Sequence, residues 1–139
     1  MARQLGQDAR MSTRRDDAFA RIDAANAADP HLENGHPAEL LYGQRMTAEQ
    51  RALYPDADEA LQIACRGQHV ERWLLPRHDF PDGRAGYLAW RSEQGRRHAA
   101  RVAGIMREAG YPDDQIAHAE KMLRKEGIKR DGEVQALED

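Results

Sequence analysis

The sequence predicts an all-α fold, a single helical-bundle domain of about five to six helices, from three observations. Apolar residues recur at spacings of three and four along most of the chain, which is the period of a helix. Prolines and glycines stand where such helices would begin or end. No stretch shows the alternation of a half-buried strand convincingly. With 139 residues, of which 40% are apolar, the chain has the size and composition of one ordinary domain.

The N-terminal half is predicted to contain a polar lead-in and three helices. Residues 1–14 are polar and aperiodic, so we interpret them as a disordered lead-in before a helical domain over residues 15–139. A first helix follows, with two acidic residues in its first turn and Pro30 closing it. Pro37 begins a short second helix. Thr47 and Gln50 then match a capping box, which predicts the start of a third helix.

The C-terminal half is predicted to contain three further elements. A central helix from about Ala57 to Leu75 is apolar on more than one face, which is typical of a buried position. A loop rich in proline and glycine leads to a long helix over about residues 86–109, and Pro112 begins the last helix. One stripe of the long helix has the spacing of a single face, and its members are Tyr87, Arg91, Gln94, His98, Val102, Ile105 and Ala109.

Composition and charge exclude several classes of function. The formal net charge of -3 provides no basic field, so nucleic acid is not expected as a partner. No stretch approaches the ~18 apolar residues of a membrane span, and the N-terminus has no apolar core of a secretory signal. The single cysteine, Cys65, excludes an internal disulfide and is expected to be a buried thiol. We therefore expect a cytoplasmic protein that does not enter a membrane.

The most visible candidate for chemistry is the adjacent pair His78-Asp79. A His-Asp metal doublet needs both side chains held at fixed angles, normally by a helix, with a further ligand from another element. This pair lies between two prolines in a predicted loop, which does not hold its backbone in that way. A surface or turn role is therefore favoured for both residues.

Two histidines and two arginines form a better candidate on the inward sides of two predicted helices. His69 and Arg72 lie on the central helix, and Arg91 and His98 lie on the long helix. A guanidinium that faces a core must find a carboxylate or a phosphate, because an unpaired buried charge is costly. Such polar clusters are either functional sites or satisfied structural networks, and the pattern leaves both interpretations open.

Six segments of the chain together resemble one bacterial and fungal family, catalogued as domain of unknown function 4202. They are "RIDAANAADP", "PAELLYGQRM", "QIACRGQHVERWLLPR", "DGRAGYLAWR", "HAARVAGIMREAGY" and "EVQALED". The similarity extends from about Phe19 to the last residue, and the joint match is specific. The family implies no established activity, but its layout is similar to a diverged member of the HD-type metal phosphohydrolases.

That second resemblance implies a divalent metal ion that activates water against a phosphoester. It implies His69, His98 and Asp139 as metal ligands. For a hydrolase of this kind we expect Glu71 as a proton acceptor and Arg72, Arg77, Arg84 and Arg91 as phosphate-binding residues, and the same arginines could bind a phosphate without hydrolysing it. The chain departs from the pattern at Ala99, where the doublet would have an aspartate. The family pattern also continues past Asp139, so the C-terminal helices of the HD-like domain are expected to be absent.

Three hypotheses remain open at this point. The first is a metal-dependent hydrolase that acts on a small phosphorylated metabolite or nucleotide. The second is a non-catalytic helical module that binds an anionic ligand or a protein partner. The third is a purely structural polar cluster. If the C-terminal helices are absent, an exposed apolar groove would favour a homo-oligomer, such as a dimer, or capture by a chaperone.

Overall fold

The computed structural model describes the backbone of residues 2–125 and the side chains of residues 13–125. Five α-helices account for most of this part of the chain, which confirms the predicted all-α class. They are α1 (Ala2–Asn26), α2 (Ala38–Leu53), α3 (Glu59–Arg66), α4 (Arg84–Ala109) and α5 (Asp113–Arg124). Two short 3-10 helices, Arg72–Leu74 and Arg77–Asp79, lie between α3 and α4. A two-stranded hairpin of β1 (Leu32–Glu33) and β2 (His36–Pro37) precedes α2.

The core lies where α1, α3, α4 and α5 meet. Helix α4 packs along α5 and also contacts α1, whereas α3 packs against α5, α2 and α1. The largest fully buried apolar side chains come from these helices and from the turn after α3: Ile22, Ile63, Val70, Val102, Ile105, Met106, Ile116 and Met122. Cys65 is also buried, as predicted, and burial raises the pKa of its thiol to about 12. Such a thiol stays protonated and is a poor nucleophile at neutral pH.

Helix α1 begins at Ala2, so its helical backbone includes most of the segment that was predicted to be a disordered lead-in. The division into a lead-in and a domain stays a prediction. The end of α1 has a structural role, because Asn26 is buried there and its side-chain Oδ1 accepts a hydrogen bond from the backbone N–H of Glu71, at 2.9 Å. The end of α1 therefore holds the turn that follows α3.

The small hairpin was not predicted, although its signal is in the sequence. Asn34 and Gly35 both have positive φ, at 53° and 80°, as the two central residues of a type I′ turn require. An Asn-Gly pair is the most frequent choice for such a turn. The carboxylate of buried Asp29 accepts hydrogen bonds from the backbone N–H groups of His31 and Glu39, both at 2.9 Å. Asp29 thereby ties the start of the hairpin to the start of α2.

The predicted helix start at Thr47 is wrong, because α2 continues through it to Leu53. No proline or glycine interrupts the backbone between Arg45 and Leu53, so the helix has no reason to end there. Thr47 is buried, and its hydroxyl accepts a hydrogen bond from Arg66 Nη1 at 3.1 Å. Helices α2 and α3 approach closely at Gly43, where an added β-carbon would lie 2.9 Å from the carbonyl oxygen of Arg66.

The predicted central helix is also too long, since α3 ends at Arg66 and not near Leu75. Gly67 lies against α4, and a β-carbon there would approach Val102 Cγ2 to 2.6 Å. Glu71 then adopts a left-handed conformation with φ of 56°, which a continuing helix does not allow. His69 and Arg72 therefore follow the helix in a turn and a 3-10 segment, and the predicted helical spacing between them is wrong.

The last two helices agree with the sequence prediction. Helix α4 ends at Gly110, whose φ of 93° is the left-handed conformation that favours glycine after a helix. Helix α5 follows Pro112 and carries Asp113 and Asp114 in its first turn, where carboxylates interact favourably with the helix dipole. Among the described helices, none combines the length and the apolar character that crossing a membrane requires.

Candidate functional site

A cavity of about 770 Å³ opens on one side of the bundle. Its walls come from α2, from the turn after α3, from the N-terminal half of α4 and from the end of α5. The polar, charged and aromatic side chains in these walls include two histidines, two glutamines, three aromatic residues, four cations and one carboxylate. They are His69, His98, Gln68, Gln94, Tyr42, Tyr87, Trp90, Arg72, Arg91, Arg124, Lys125 and Glu49.

His69 lies in the wall of the cavity between an aromatic ring and a carboxylate. Its ring stacks on Tyr42, with centroids 3.7 Å apart and an angle of 4° between the planes. Its Nδ1 lies 3.3 Å from Glu39 Oε1. Asp29 holds the backbone of Glu39, and Tyr42 follows one helical turn later on α2. The first turn of α2 thus positions both groups that fix the His69 ring.

His98 lies deeper, in the middle of α4, with only 5% of its surface exposed. Its Nδ1 is 2.9 Å from the carbonyl oxygen of Val70. A carbonyl can only accept, so Nδ1 carries the proton and donates. Burial, and next the charge of His69 at a ring-centroid distance of 6.3 Å, lower the pKa of His98 to about 4. The imidazole is therefore neutral at pH 7, and its Nε2 carries a lone pair.

Two more side chains of α4 hold the segment 70–75 against the helix. Trp90 Nε1 donates to the carbonyl oxygen of Leu75 at 2.8 Å. Gln94 Nε2 donates to the same oxygen at 3.0 Å and to the carbonyl oxygen of Arg72 at 2.9 Å. The guanidinium of Arg72 then lies over the Trp90 ring, with Cζ 5.0 Å from the centroid. These contacts give Arg72 a defined place beside the cavity, although it lies in a short 3-10 helix and not in an α-helix.

The charge of the lining residues is positive. Four Arg and Lys side chains line the cavity with one carboxylate, Glu49. Arg124 has a partner in Glu120, with Nη2 and Oε2 3.4 Å apart, and Arg72 Nη1 lies 4.0 Å from Glu39 Oε2. Among residues 13–125, these carboxylates offset part of the positive charge of the four cations in the lining.

Comparison with protein-family models finds a match to the family described as Domain of unknown function (DUF4202), over residues 16–139. The chain belongs to this family. No curated protein and no solved structure matches the chain. The description of DUF4202 assigns no activity, so the side chains of this DUF4202 domain are the evidence for its chemistry. The resemblance to HD-type phosphohydrolases stays a prediction.

Four of the residues that the sequence analysis selected line the cavity of the DUF4202 domain: His69, Arg72, Arg91 and His98. Glu71 lies elsewhere and accepts a hydrogen bond from Arg101 Nε at 2.8 Å. Arg77 donates to backbone carbonyls of its own loop, among them that of Pro81 at 3.0 Å. Arg84 is exposed at the first turn of α4, outside the cavity lining. Asp139 lies outside the described residues.

The adjacent pair His78-Asp79 is not part of the cavity lining. It lies in the second 3-10 helix, where His78 Nε2 is 3.6 Å from Asp79 Oδ1 and both side chains face solvent. This placement agrees with the surface role that was favoured for the pair.

Sequence reasoning missed several residues of the site. Glu39 and Tyr42 have helical spacing in "PAELLYGQRM", but nothing in that pattern shows that this face of α2 meets His69. Arg124 and Lys125 lie at the end of α5, where cations are favoured by the helix dipole, and their sequence pattern does not connect them with the site. Their place in the cavity depends on how α5 packs along α4, which no local pattern contains.

The described residues do not form a metal site. No three side chains of His, Cys, Asp or Glu are grouped closely enough to hold an ion in the described part of the chain. Ala99, which follows His98, is fully buried and offers no ligand atom. The described part of the DUF4202 domain therefore supplies at most two imidazoles, and a third ligand would have to come from residues such as Asp139.

Proposed function

We propose that the cavity binds a small phosphorylated ligand that has a ring or another planar part. The observation that carries this proposal is the convergence of cations and aromatic rings around one cavity of about 770 Å³. That volume is within the range of ordinary small-molecule sites, which measure about 300–1,000 Å³. A few charged groups among apolar and aromatic walls are typical of such sites.

The cations support the anionic part of the proposal. Arg72 is held by Trp90 and Glu39 at the edge of the cavity, so less side-chain entropy is lost when it binds a phosphate. Arg91 lies on the exposed face of α4 and lines the same cavity. Guanidinium groups match the oxygens of a phosphate with two parallel hydrogen bonds, which a lysine cannot provide.

The aromatic residues support the ring in the ligand. The stacked pair of Tyr42 and His69 forms one wall, and Trp90 with Tyr87 forms another, with centroids of the latter two 6.0 Å apart. Tyr87 and Leu88 each expose 43% of their surface beside the opening. Aromatic faces of this kind stack on planar groups with little sequence or substituent preference. The polar and apolar parts of the cavity therefore suit one ligand with both characters.

The experiment compares adenosine monophosphate with adenosine, because the two differ only in the phosphate. We expect the monophosphate to raise the melting temperature with concentration, and adenosine to do so much less. In Arg72→Ala and Arg91→Ala, affinity for the monophosphate should fall by about tenfold or more, since a hydrogen bond to a charged group contributes about 1.5–3 kcal/mol.

The matched control is Arg97→Ala, which removes an arginine from the same helix outside the cavity. Arg97 is exposed and lies 3.5 Å from Glu93, so its loss should leave the affinity unchanged. The proposal is wrong if adenosine and its monophosphate stabilise the protein equally, or if Arg97→Ala weakens binding as much as Arg72→Ala.

Metal-dependent hydrolysis is the second candidate, and one observation favours it. Both histidines have Nδ1 engaged, His69 by the carboxylate of Glu39 and His98 by a backbone carbonyl. Histidines that bind metals through Nε2 are commonly held by such partners. Stoichiometric divalent metal in the purified protein, lost in both His69→Ala and His98→Ala, would support this candidate. An unchanged metal content in both variants would exclude a role for the pair.

A further inference from the structure

Gln68 is one buried polar residue of the cavity lining, and the two others are Gln94 and His98. Gln94 and His98 expose 6% and 5% of their surface and are one turn apart on the same face of α4. Among the other lining residues, Arg91 and Arg124 are exposed, and Tyr87 and Leu88 are half-exposed. The cavity therefore has a charged rim and, at Gln94 and His98, a neutral polar floor.

The donors of this floor are used by the protein itself. Gln94 Nε2 donates both of its hydrogens, to the carbonyl oxygens of Arg72 and Leu75. His98 Nδ1 donates to the carbonyl oxygen of Val70. All three partners are backbone carbonyls, which cannot donate, so neither the amide of Gln94 nor the ring of His98 can be turned around without losing these bonds.

What remains on the floor are two acceptors, Gln94 Oε1 and His98 Nε2. Neither atom has a hydrogen-bond partner among the side chains and backbone groups of residues 13–125. Because Nδ1 carries the ring proton of the His98 imidazole, the lone pair lies on Nε2. A ligand group that cannot donate a hydrogen bond would leave both acceptors unsatisfied, which is unfavourable in a buried place.

We propose that the end of the ligand opposite its phosphate carries hydroxyl or amino donors, and that Gln94 and His98 select the ligand through them. This inference rests on the proposed binding of a phosphorylated ligand and adds the chemistry of the other end. Sugar phosphates and nucleotides share this combination of one anionic group with distant O–H or N–H donors. Sites built to pair with a donor reject analogues that lack it, because the acceptor atoms are then desolvated without a partner.

The test uses three phosphates on the wild-type protein: ribose 5-phosphate, adenosine monophosphate and phenyl phosphate. Phenyl phosphate has the anion and the ring but no donor at its far end. We expect its dissociation constant, measured by titration calorimetry, to be about tenfold or more higher than that of the tighter of the other two. If ribose 5-phosphate and adenosine monophosphate both bind more tightly than phenyl phosphate, sugar hydroxyls are the groups that pair with Gln94 and His98. If only adenosine monophosphate binds more tightly, the amino group of its base pairs with them.

The variants Gln94→Met and His98→Phe keep side-chain volume and remove the acceptors. We compare the dissociation constant of phenyl phosphate with that of the tighter of the other two phosphates, in each variant that circular dichroism shows to be folded. The ratio of these two constants should fall toward one, while the affinity for phenyl phosphate itself stays unchanged. Equal affinity of the three phosphates for the wild type would overturn the inference but leave the proposed function intact. Binding of none of the three would overturn both. Metal held by His98 Nε2 would overturn the inference alone.

Discussion

The two halves of α4 differ in what surrounds them, although they form one continuous helix. Helix α4 is packed by α1 and α5, and Val102, Ile105 and Met106 are fully buried among residues 99–109. Residues 84–98 instead border the cavity, and most of their side chains are exposed or face it. We infer that the C-terminal half supplies stability and that the N-terminal half supplies the site, with His98 at the boundary.

The largest expected effect is on Ile105, in the packed half. The side chain is 1% exposed, so Ile105→Ala removes buried methyl groups and leaves a cavity. The free energy of unfolding should fall by about 2–5 kcal/mol, measured by urea denaturation. Leu88→Ala is the control in the other half of α4, because Leu88 is half-exposed. This substitution should lower the free energy of unfolding by less than about 1 kcal/mol. Similar losses in the two variants would contradict the division of α4.

Substitution of one glycine in each half of α4, Gly86 and Gly104, tests how closely other atoms approach the backbone there. A β-carbon at Gly86 would overlap the carbonyl oxygen of Pro81, so Gly86→Ala must displace the loop before α4. The free energy of unfolding should fall by about 1–3 kcal/mol, as overpacking typically requires. Gly104 has no atom within 4 Å of an added β-carbon. There, Gly104→Ala should raise stability by about 0.5–1 kcal/mol through helix propensity.

Thermal or urea unfolding of both alanine variants decides this point. Opposite signs would show that the N-terminal half, despite its open surface, depends on close contact with the loop at Pro81. Stabilisation by both substitutions would show that the loop moves freely and does not support the wall of the cavity.

How far the sequence could predict these two halves depends on the range of the interactions. Helix α4 was predictable because a long stripe of periodic residues ends at a glycine, and both signals are local. The end of α3 was not, since the turn after it depends on Asn26 capturing the N–H of Glu71 from 45 residues away. Gly67 also contributes through its approach to Val102, another distant contact.

The same limit applies to the candidate site. His69, Arg72, Arg91 and His98 were selected because they are polar residues in apolar surroundings, and all four line the cavity. The predicted helical spacing between His69 and Arg72 was nevertheless wrong. Both residues line the cavity, but not because one helix places them on the same face. Glu39 and Tyr42 were missed because an ordinary amphipathic pattern does not reveal which buried group a helix will meet.

The last expected effect concerns the boundary between the two halves of α4 and follows from the pKa of His98. Burial lowers that pKa from 6.5 to about 4 in the folded protein. Between these values the unfolded chain binds more protons than the folded protein, so stability rises with pH. The stability that the neutral form of His98 allows is fully present above pH 6.5, and it is lost progressively as the pH falls toward 4. Between pH 7 and pH 5.5 the loss should be about 1 kcal/mol.

Urea denaturation at the two pH values, on wild type and on His98→Gln, measures this loss. The variant lacks the titrating group, so its stability should fall by about 1 kcal/mol less over this interval. His78→Gln is the control, because it removes a histidine whose side chain is 85% exposed, and it should follow the wild type. If His98→Gln also follows the wild type, His98 is not kept neutral by burial. The floor of the cavity would then be open to water, and His98 would not mark the boundary between the open and the packed half of α4.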